Sequence, residues 1–118
     1  MHDVLIYHNP RCSKSRQTLA LLREQGIEPN VVEYLHTPPS EARLAELTQA
    51  LRCSPRQLMR TNEPSYRELG LQDASLSDAQ LIAAMHANPV LIQRPIVVTP
   101  RGVALGRPPE NVLTILDV

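Results

Sequence analysis

Cys12 sits in the stretch Tyr7-His8-Asn9-Pro10-Arg11-Cys12-Ser13-Lys14-Ser15-Arg16, with Arg11, Lys14, Arg16 and His8 all within four residues of its thiol. The chemistry such a setting favours is nucleophilic attack by a thiolate. The apolar run Val4-Leu5-Ile6-Tyr7 stops at Asn9-Pro10, and a helical pattern with Ser15, Leu19 and Leu22 on one face begins just past the cysteine. Cys12 is therefore predicted at a strand-to-helix turn, at the positive end of the helix dipole and among unpaired backbone N–H groups. Cysteines in such places have pKa values of roughly 3.5 to 7.5, against about 8.5 for a free thiol. The surrounding charges argue against Cys12 being a small buried hydrophobe. His8 reads as a polar or cationic neighbour that lowers the thiol's pKa, against the plainer role of closing a strand end. Ser15, in Cys12-x-x-Ser15, is able to hydrogen-bond a thiolate but not to form a disulfide with it.

The elements that must position these groups follow from periodicity and punctuation. Residues 4 to 7 are predicted as a strand, 13 to 25 as a helix closed by Gly26 in a left-handed cap, and 30 to 34 as a second strand, so the two strands lie parallel in a βαβ unit. Ser40 is placed to cap a helix carrying Leu44, Leu47 and Leu51. Ser54-Pro55-Arg56-Gln57 and Ser77-Asp78-Ala79-Gln80 have capping-box spacing, each flanked by an apolar staple pair, Cys53 with Leu58 and Leu76 with Leu81. The first box predicts a helix that holds Leu58 and Met59 and is closed by Arg60. The second opens a helix through Met85. The staple gives Cys53 a packing role. A helical insertion thus spans about 40–87. Residues 94 to 99 are a β-branched strand entered through Pro95, Pro100-Arg101-Gly102 is a turn, Val103-Ala104-Leu105 is the hairpin partner, and a last helix carries Val112, Leu113 and Leu116.

Composition narrows the class. A chain of 118 residues is one domain, and 12 basic against 12 acidic residues give zero net charge. That balance argues against a surface built for nucleic acid or for a membrane, so any anion site is local. Two cysteines without a disulfide framework fit a reducing compartment, and the start Met1-His2-Asp3 carries no export signal, so the expected location is cytoplasmic. His2, His36 and His86 have no ligand spacing, and no metal site is expected.

The order β-α-β, helices, β-β-α, with a cysteine at the first strand-helix turn and a proline opening the third strand, resembles a thioredoxin-type fold. The implied class is α/β, a thioredoxin-like mixed sheet flanked by helices, with the helical insertion between its halves. In that fold the proline is cis and lies against the active cysteine, which the resemblance implies for Pro95. Tyr7-His8-Asn9-Pro10-x-Cys12-x-x-Ser15-Arg16, Tyr34-Leu35-x-x-Pro38-Pro39, Arg60 with Asn62, Leu69-Gly70-Leu71, Arg94-Pro95-Ile96-Val97-Val98-Thr99-Pro100 and Arg107-Pro108 resemble, in order and spacing, the glutaredoxin-dependent arsenate reductase family. The resemblance runs along essentially the whole chain. It implies residues 1–118 as a single domain of that type, Cys12 as nucleophile, and Arg60, Arg94 and Arg107 as oxyanion ligands. It also implies reduction of arsenate to arsenite through a thio-arsenate adduct, with no bound cofactor, glutathione as co-substrate and glutaredoxin as protein partner. Residue chemistry agrees, because a planar guanidinium suits an oxyanion, and Arg94 and Arg107 each start from a backbone stiffened by the following proline.

The sequence departs from that pattern at Ser13-Lys14, where small residues often follow the cysteine, and at Gly106, where a cysteine is sometimes found. The Arg11-to-Arg16 version is closer to an arsenate-reductase-like branch. Two other readings use the same residues. One is an Spx-like transcription regulator binding RNA polymerase, which would want a second cysteine in place of Ser15. The other is a thiol oxidoreductase acting on glutathione mixed disulfides, which would need Cys12 but not the three arginines.

Overall fold

A computed structural model of the chain describes residues 3–116; Met1 and His2, on which part of the export and metal-site expectations rest, and residues 117 and 118 lie outside the described residues. The chain divides into two compact units. One comprises the segments up to Thr37 and from Arg94 onward, the other Pro38–Gln93.

The first unit holds the sheet. Strands β1 (Leu5–His8), β2 (Asn30–Glu33), β3 (Ile96–Thr99) and β4 (Gly102–Leu105) lie in the order β2-β1-β3-β4. β1 pairs parallel with β2, as a βαβ crossover requires, and antiparallel with β3, which pairs antiparallel with β4. The crossover helix α1 (Ser13–Glu24) ends as its sequence suggests. Gly26 is left-handed at φ 78°, and the Ile27 N–H reaches back to the Leu22 carbonyl at 3.0 Å. Val4, Ile6, Leu22, Ile27, Val97, Val112, Ile115 and Leu116 form one aliphatic cluster, so α1 and the C-terminal segment share a core with the central strands. Each such side chain fully removed from water contributes roughly 1.5–3 kcal/mol. This is the thioredoxin-like mixed sheet with helices that the element order implies.

The last helix differs from expectation. Pro109–Ile115 is a 3₁₀ helix, in which residues three apart share a face. Pro109, Val112 and Ile115 are accordingly buried, while Leu113, expected in the core on an α-helical period, is exposed.

In the second unit, α2 (Glu41–Leu51) is capped by the Ser40 hydroxyl, which accepts the Arg43 N–H, and α4 (Asp78–Ala87) by a complete Ser77/Gln80 capping box. Leu44, Leu47, Leu81 and Met85 are buried between them and their neighbours. The Ser54 box also forms both of its bonds, Gln57 Oε1 accepting the Ser54 N–H at 2.8 Å and Ser54 Oγ accepting the Gln57 N–H at 3.2 Å. Here the expectation needs correction. The box opens only a single 3₁₀ turn, Arg56–Leu58, after which Met59 is extended and bridges Ile92. The Arg60 N–H donates to the Leu91 carbonyl at 2.7 Å, and the Gln93 N–H to the Leu58 carbonyl at 2.8 Å. Arg60 therefore follows a β-bridge and does not close a helix, because main-chain partners at Leu91, Ile92 and Gln93, far along the chain, outcompete a helical signal only two apolar residues long. A short helix α3 (Pro64–Glu68), which no periodicity announced, follows.

Candidate active site

The β1–α1 turn is tied by its own polar groups. Asn9 accepts the Cys12 N–H on its carbonyl at 3.0 Å and the Arg11 N–H on Oδ1 at 2.9 Å, and it donates its own N–H to Ser15 Oγ at 3.0 Å. Ser15 Oγ also lies 2.6 Å from His8 Nδ1. Ser15 is fully buried and His8 and Asn9 nearly so. One hydroxyl thus joins the end of β1, the turn and the first turn of α1. Asn9 was given no role from sequence, although it stands in the Asn-Pro turn signal and in the motif that carries the family resemblance.

Cys12 takes the N-cap position of α1 with extended dihedrals, φ −95° and ψ 123°. Contrary to expectation it is buried, at 8% exposure. Burial pushes its thiol up, but the Ser15 N–H, the Arg94 guanidinium and the Lys14 N–H all bond or attract the sulfur, and together they hold the pKa below the ordinary cysteine value. The side chains that flank Cys12 in sequence act otherwise. Arg16 turns its Nη1 to the Pro10 carbonyl at 2.9 Å, Arg11 is exposed, and Lys14 contributes through its main-chain N–H. Ser15 likewise supports the thiolate through its N–H, while its hydroxyl is committed to His8 and Asn9.

His8 also needs correction as a cationic neighbour. Burial lowers its pKa, Glu33 opposes that and Arg23 and Arg16 reinforce it, so the ring is neutral near pH 7. Its place in the site is as the partner of Ser15, not as a charge on the sulfur.

Two of the three expected arginines meet Cys12. The Arg94 guanidinium lowers the thiol's pKa, and Arg107 Nη1 donates to Sγ at 4.0 Å and to the Arg94 carbonyl at 3.2 Å. Arg94 Nε is buried and makes no hydrogen bond among the described residues. A buried donor left unpaired costs about 1–3 kcal/mol, which an anionic oxygen at that nitrogen recovers. The Arg94-Pro95 bond is cis, as the resemblance implied, and so is Arg107-Pro108, which nothing in the sequence reading anticipated. Gly106 explains how Arg107 reaches its place. A Cβ there would run into Thr18 Oγ1 and lie 2.8 Å from Pro95 Cγ, so a side chain would have to push apart α1, β4 and the Pro95 turn. Arg60 belongs to the other unit, where its Nε donates to Glu63 Oε1 at 3.1 Å.

Among the described residues, no cluster of three His, Cys, Asp or Glu side chains is disposed to hold a metal ion, and no helix is long and apolar enough to cross a membrane. The site is a shielded thiol with its pKa lowered and guanidinium groups on it, suited to attack on a centre that carries anionic oxygens.

Comparison with known proteins agrees in extent. The model of the ArsC family matches residues 7–115. YfgD, an uncharacterized protein of Escherichia coli (strain K12), is 56% identical over 115 residues, 97% of each chain. An arsenate reductase of Escherichia coli is 51% identical over 116 residues, 98% of this chain and 82% of that protein. The solved structure of an arsenate reductase from Vibrio cholerae superposes with a TM-score of 0.94 at 54% identity, covering 98% of both chains. With the cysteine turn and both arginines that precede a proline inside the matched region, this chain belongs to the ArsC family.

Proposed function

We propose that the chain is an arsenate reductase that works through a covalent adduct on Cys12. The observation that carries this reading is the Cys12 sulfur held below its ordinary pKa beside Arg94 and Arg107. Relatives named arsenate reductase at about half identity supply the substrate class. In the first step the Cys12 thiolate attacks As(V), an S–As bond forms, and one arsenate oxygen leaves as water after protonation. Arg94 and Arg107 hold the remaining oxygens and offset charge as it develops. Arg60 is assigned a third oxyanion contact on the sequence resemblance. Glutathione thiolate then attacks the Cys12 sulfur. The S–As electron pair stays with arsenic, which departs as arsenite, As(III), and a Cys12–glutathione disulfide remains. Glutaredoxin attacks the glutathione sulfur and returns Cys12 to thiolate. No resident cofactor enters this cycle, and its location is proposed to be cytoplasmic, where glutathione is abundant.

The test is arsenite production from arsenate with glutathione and glutaredoxin, compared with thioredoxin as donor. Cys12→Ser abolishes turnover, and Arg94→Ala raises KM for arsenate while leaving reduction of a glutathione mixed disulfide intact. Parental turnover in Cys12→Ser refutes the nucleophile. Disulfide reduction without any arsenate turnover makes the chain a thiol oxidoreductase instead.

A further inference from the structure

Arg11, Lys14 and Arg16 crowd the turn beside Cys12, yet none of the three side chains is among the groups that lower its pKa. No ion pair among the described residues uses them either. Arg11 and Arg16 are exposed, and Arg16 commits only Nη1, to the Pro10 carbonyl at 2.9 Å. Helix polarity does not call for them. The N-terminus of a helix favours acidic side chains and disfavours basic ones. α2 and α4 obey, with Glu41 and Asp78 in their first turns, whereas α1 has no acid there and carries Lys14 and Arg16. The chain balances 12 basic with 12 acidic residues, but from Val4 to Arg23 it has Arg11, Lys14, Arg16 and Arg23 and no Asp or Glu. A local rule broken without compensation inside the fold marks groups retained for something outside it.

The surface beside these charges is shaped for more than a small ion. A groove of about 660 Å³ lies entirely in the first unit, between Pro10 and the Leu19 and Ala20 side of α1, with Arg16 toward the first turn of the helix and Arg23 and Glu24 toward its last. Arg23 is paired with Glu28 at 3.0 Å, so the net positive charge is concentrated at the Cys12 end. Arg16 and Arg23 are two helical turns apart, about 10 Å along the axis. The apolar side chains between them suit a stretch of polypeptide better than a tetrahedral anion.

We propose that Arg11, Lys14 and Arg16, with the groove that runs from them along α1, form the docking surface for an acidic segment of the redox protein that regenerates Cys12. This rests on the reading that a protein thiol, glutaredoxin there, takes glutathione off the enzyme. In that step the partner's thiolate attacks the glutathione sulfur, the Cys12–glutathione bond breaks with its electron pair on the Cys12 sulfur, and a partner–glutathione disulfide forms. Cys12 is only 8% exposed, so a partner has to arrive in one orientation, and the charges that flank the cysteine set it. Exposed charges complementary to a partner's act chiefly on the rate of association, and they lose that effect in salt.

The experiment isolates the docking step from arsenate chemistry. In a Cys53→Ala background, the Cys12–glutathione disulfide is prepared on the parent, Arg11→Gln, Arg11→Glu, Arg16→Gln and Arg11→Gln/Arg16→Gln. Its reduction is followed by stopped flow with glutaredoxin and, as a control, with the uncharged reductant dithiothreitol. The expected second-order rate with glutaredoxin falls roughly tenfold in the double variant at low salt, falls further in Arg11→Glu than in Arg11→Gln, and in the parent drops toward the double variant's value as salt is raised. The dithiothreitol rate and the arsenate KM stay at their parental values. A glutaredoxin rate that is unchanged in the double variant, or that falls in step with the dithiothreitol rate, overturns the proposal. So does an arsenate KM that rises while the glutaredoxin rate holds, which makes these charges a steering device for the substrate. If glutaredoxin leaves the disulfide intact, the proposal falls together with the reading of that donor. If charge-dependent reduction is seen but arsenate is not turned over, the docking surface stands and the arsenate reading alone falls.

Discussion

Ser15→Ala separates what the Ser15 side chain does from what its main chain does. The hydroxyl is fully buried, accepts the Asn9 N–H at 3.0 Å and lies 2.6 Å from His8 Nδ1, and both partners are themselves buried. Removing it leaves two buried polar groups without a partner, at about 1–3 kcal/mol each. The change also replaces serine by a better helix former in the first turn of α1, which returns roughly 0.5 kcal/mol. The net loss is about 2–5 kcal/mol, a large part of a total stability of about 5–15 kcal/mol. The sulfur, however, keeps all three of its stabilising groups, the N–H of Ser15, the N–H of Lys14 and the Arg94 guanidinium. Urea unfolding followed by circular dichroism gives the stability, and the pH dependence of iodoacetamide alkylation of Cys12 in native buffer gives the thiolate. The expected pair of results is a large loss of stability with an alkylation midpoint still below that of a free thiol. A stable variant whose midpoint has risen to that of free cysteine refutes the reasoning, since the hydroxyl would then be the group that holds the thiolate.

Four further outcomes follow from the same geometry. In the wild type, Cys12 is alkylated faster than Cys53 at every pH below the ordinary thiol range, because burial raises the Cys53 pKa with nothing opposing it, and Cys53→Ala leaves turnover unchanged; peptide mapping after a timed pulse distinguishes the two sites. Arg11→Gln and Lys14→Gln, singly or together, leave the Cys12 alkylation midpoint within experimental error, since neither side chain bears on the sulfur, and a rise toward the free value contradicts the main-chain account. His8 has a folded-state pKa below its unfolded value of 6.5, so its contribution is present above pH 6.5 and is lost as pH falls through the lower folded-state pKa; Tm measured between pH 7.5 and 5 should fall more steeply in wild type than in His8→Gln. Gly26→Ala costs about 1 kcal/mol in chemical denaturation, entirely from its positive φ, because a Cβ at that position meets nothing within 4 Å.

The parts of this molecule that were legible in the sequence are those specified by neighbours in the chain. The β1–α1–β2 crossover, the Gly26 stop, the Ser40 cap and the Ser77 capping box each depend on residues within a few positions of one another, and each forms as its spacing indicates. What was not legible depends on distant partners. Met59 and Arg60 leave the helical path because Leu91, Ile92 and Gln93 offer their main-chain groups, and no local pattern encodes that choice. The C-terminal segment is wound as a 3₁₀ helix, and on seven residues a period of three is hard to tell from 3.6 until one sees Leu113 outside and Ile115 inside. Arg94 and Arg107 were named from a resemblance and from the prolines that follow them; their meeting at Cys12 depends on a side chain being missing at Gly106, a fact about volume that a letter in a sequence does not carry.

The same contrast accounts for the electrostatics of the thiol. Counting charges near Cys12 in sequence predicts a sulfur exposed to solvent and surrounded by Arg11, Lys14, Arg16 and His8. In water such charges are weak, because each long side chain is mobile and screened. The structure instead shields the sulfur, which raises the cost of the thiolate but also strengthens every fixed donor pointed at it. The donors it uses are main-chain N–H groups at the start of α1, which have no conformational freedom to lose, and the guanidinium groups of Arg94 and Arg107, each set by the proline that follows it. His8 is kept neutral in the same shielded region and serves to anchor Ser15, whose N–H is one of those donors. A nucleophile built this way is prepared before any substrate arrives. Arg94 Nε, buried beside it and without a hydrogen bond among the described residues, is on the proposed function the donor that meets an oxygen of the substrate.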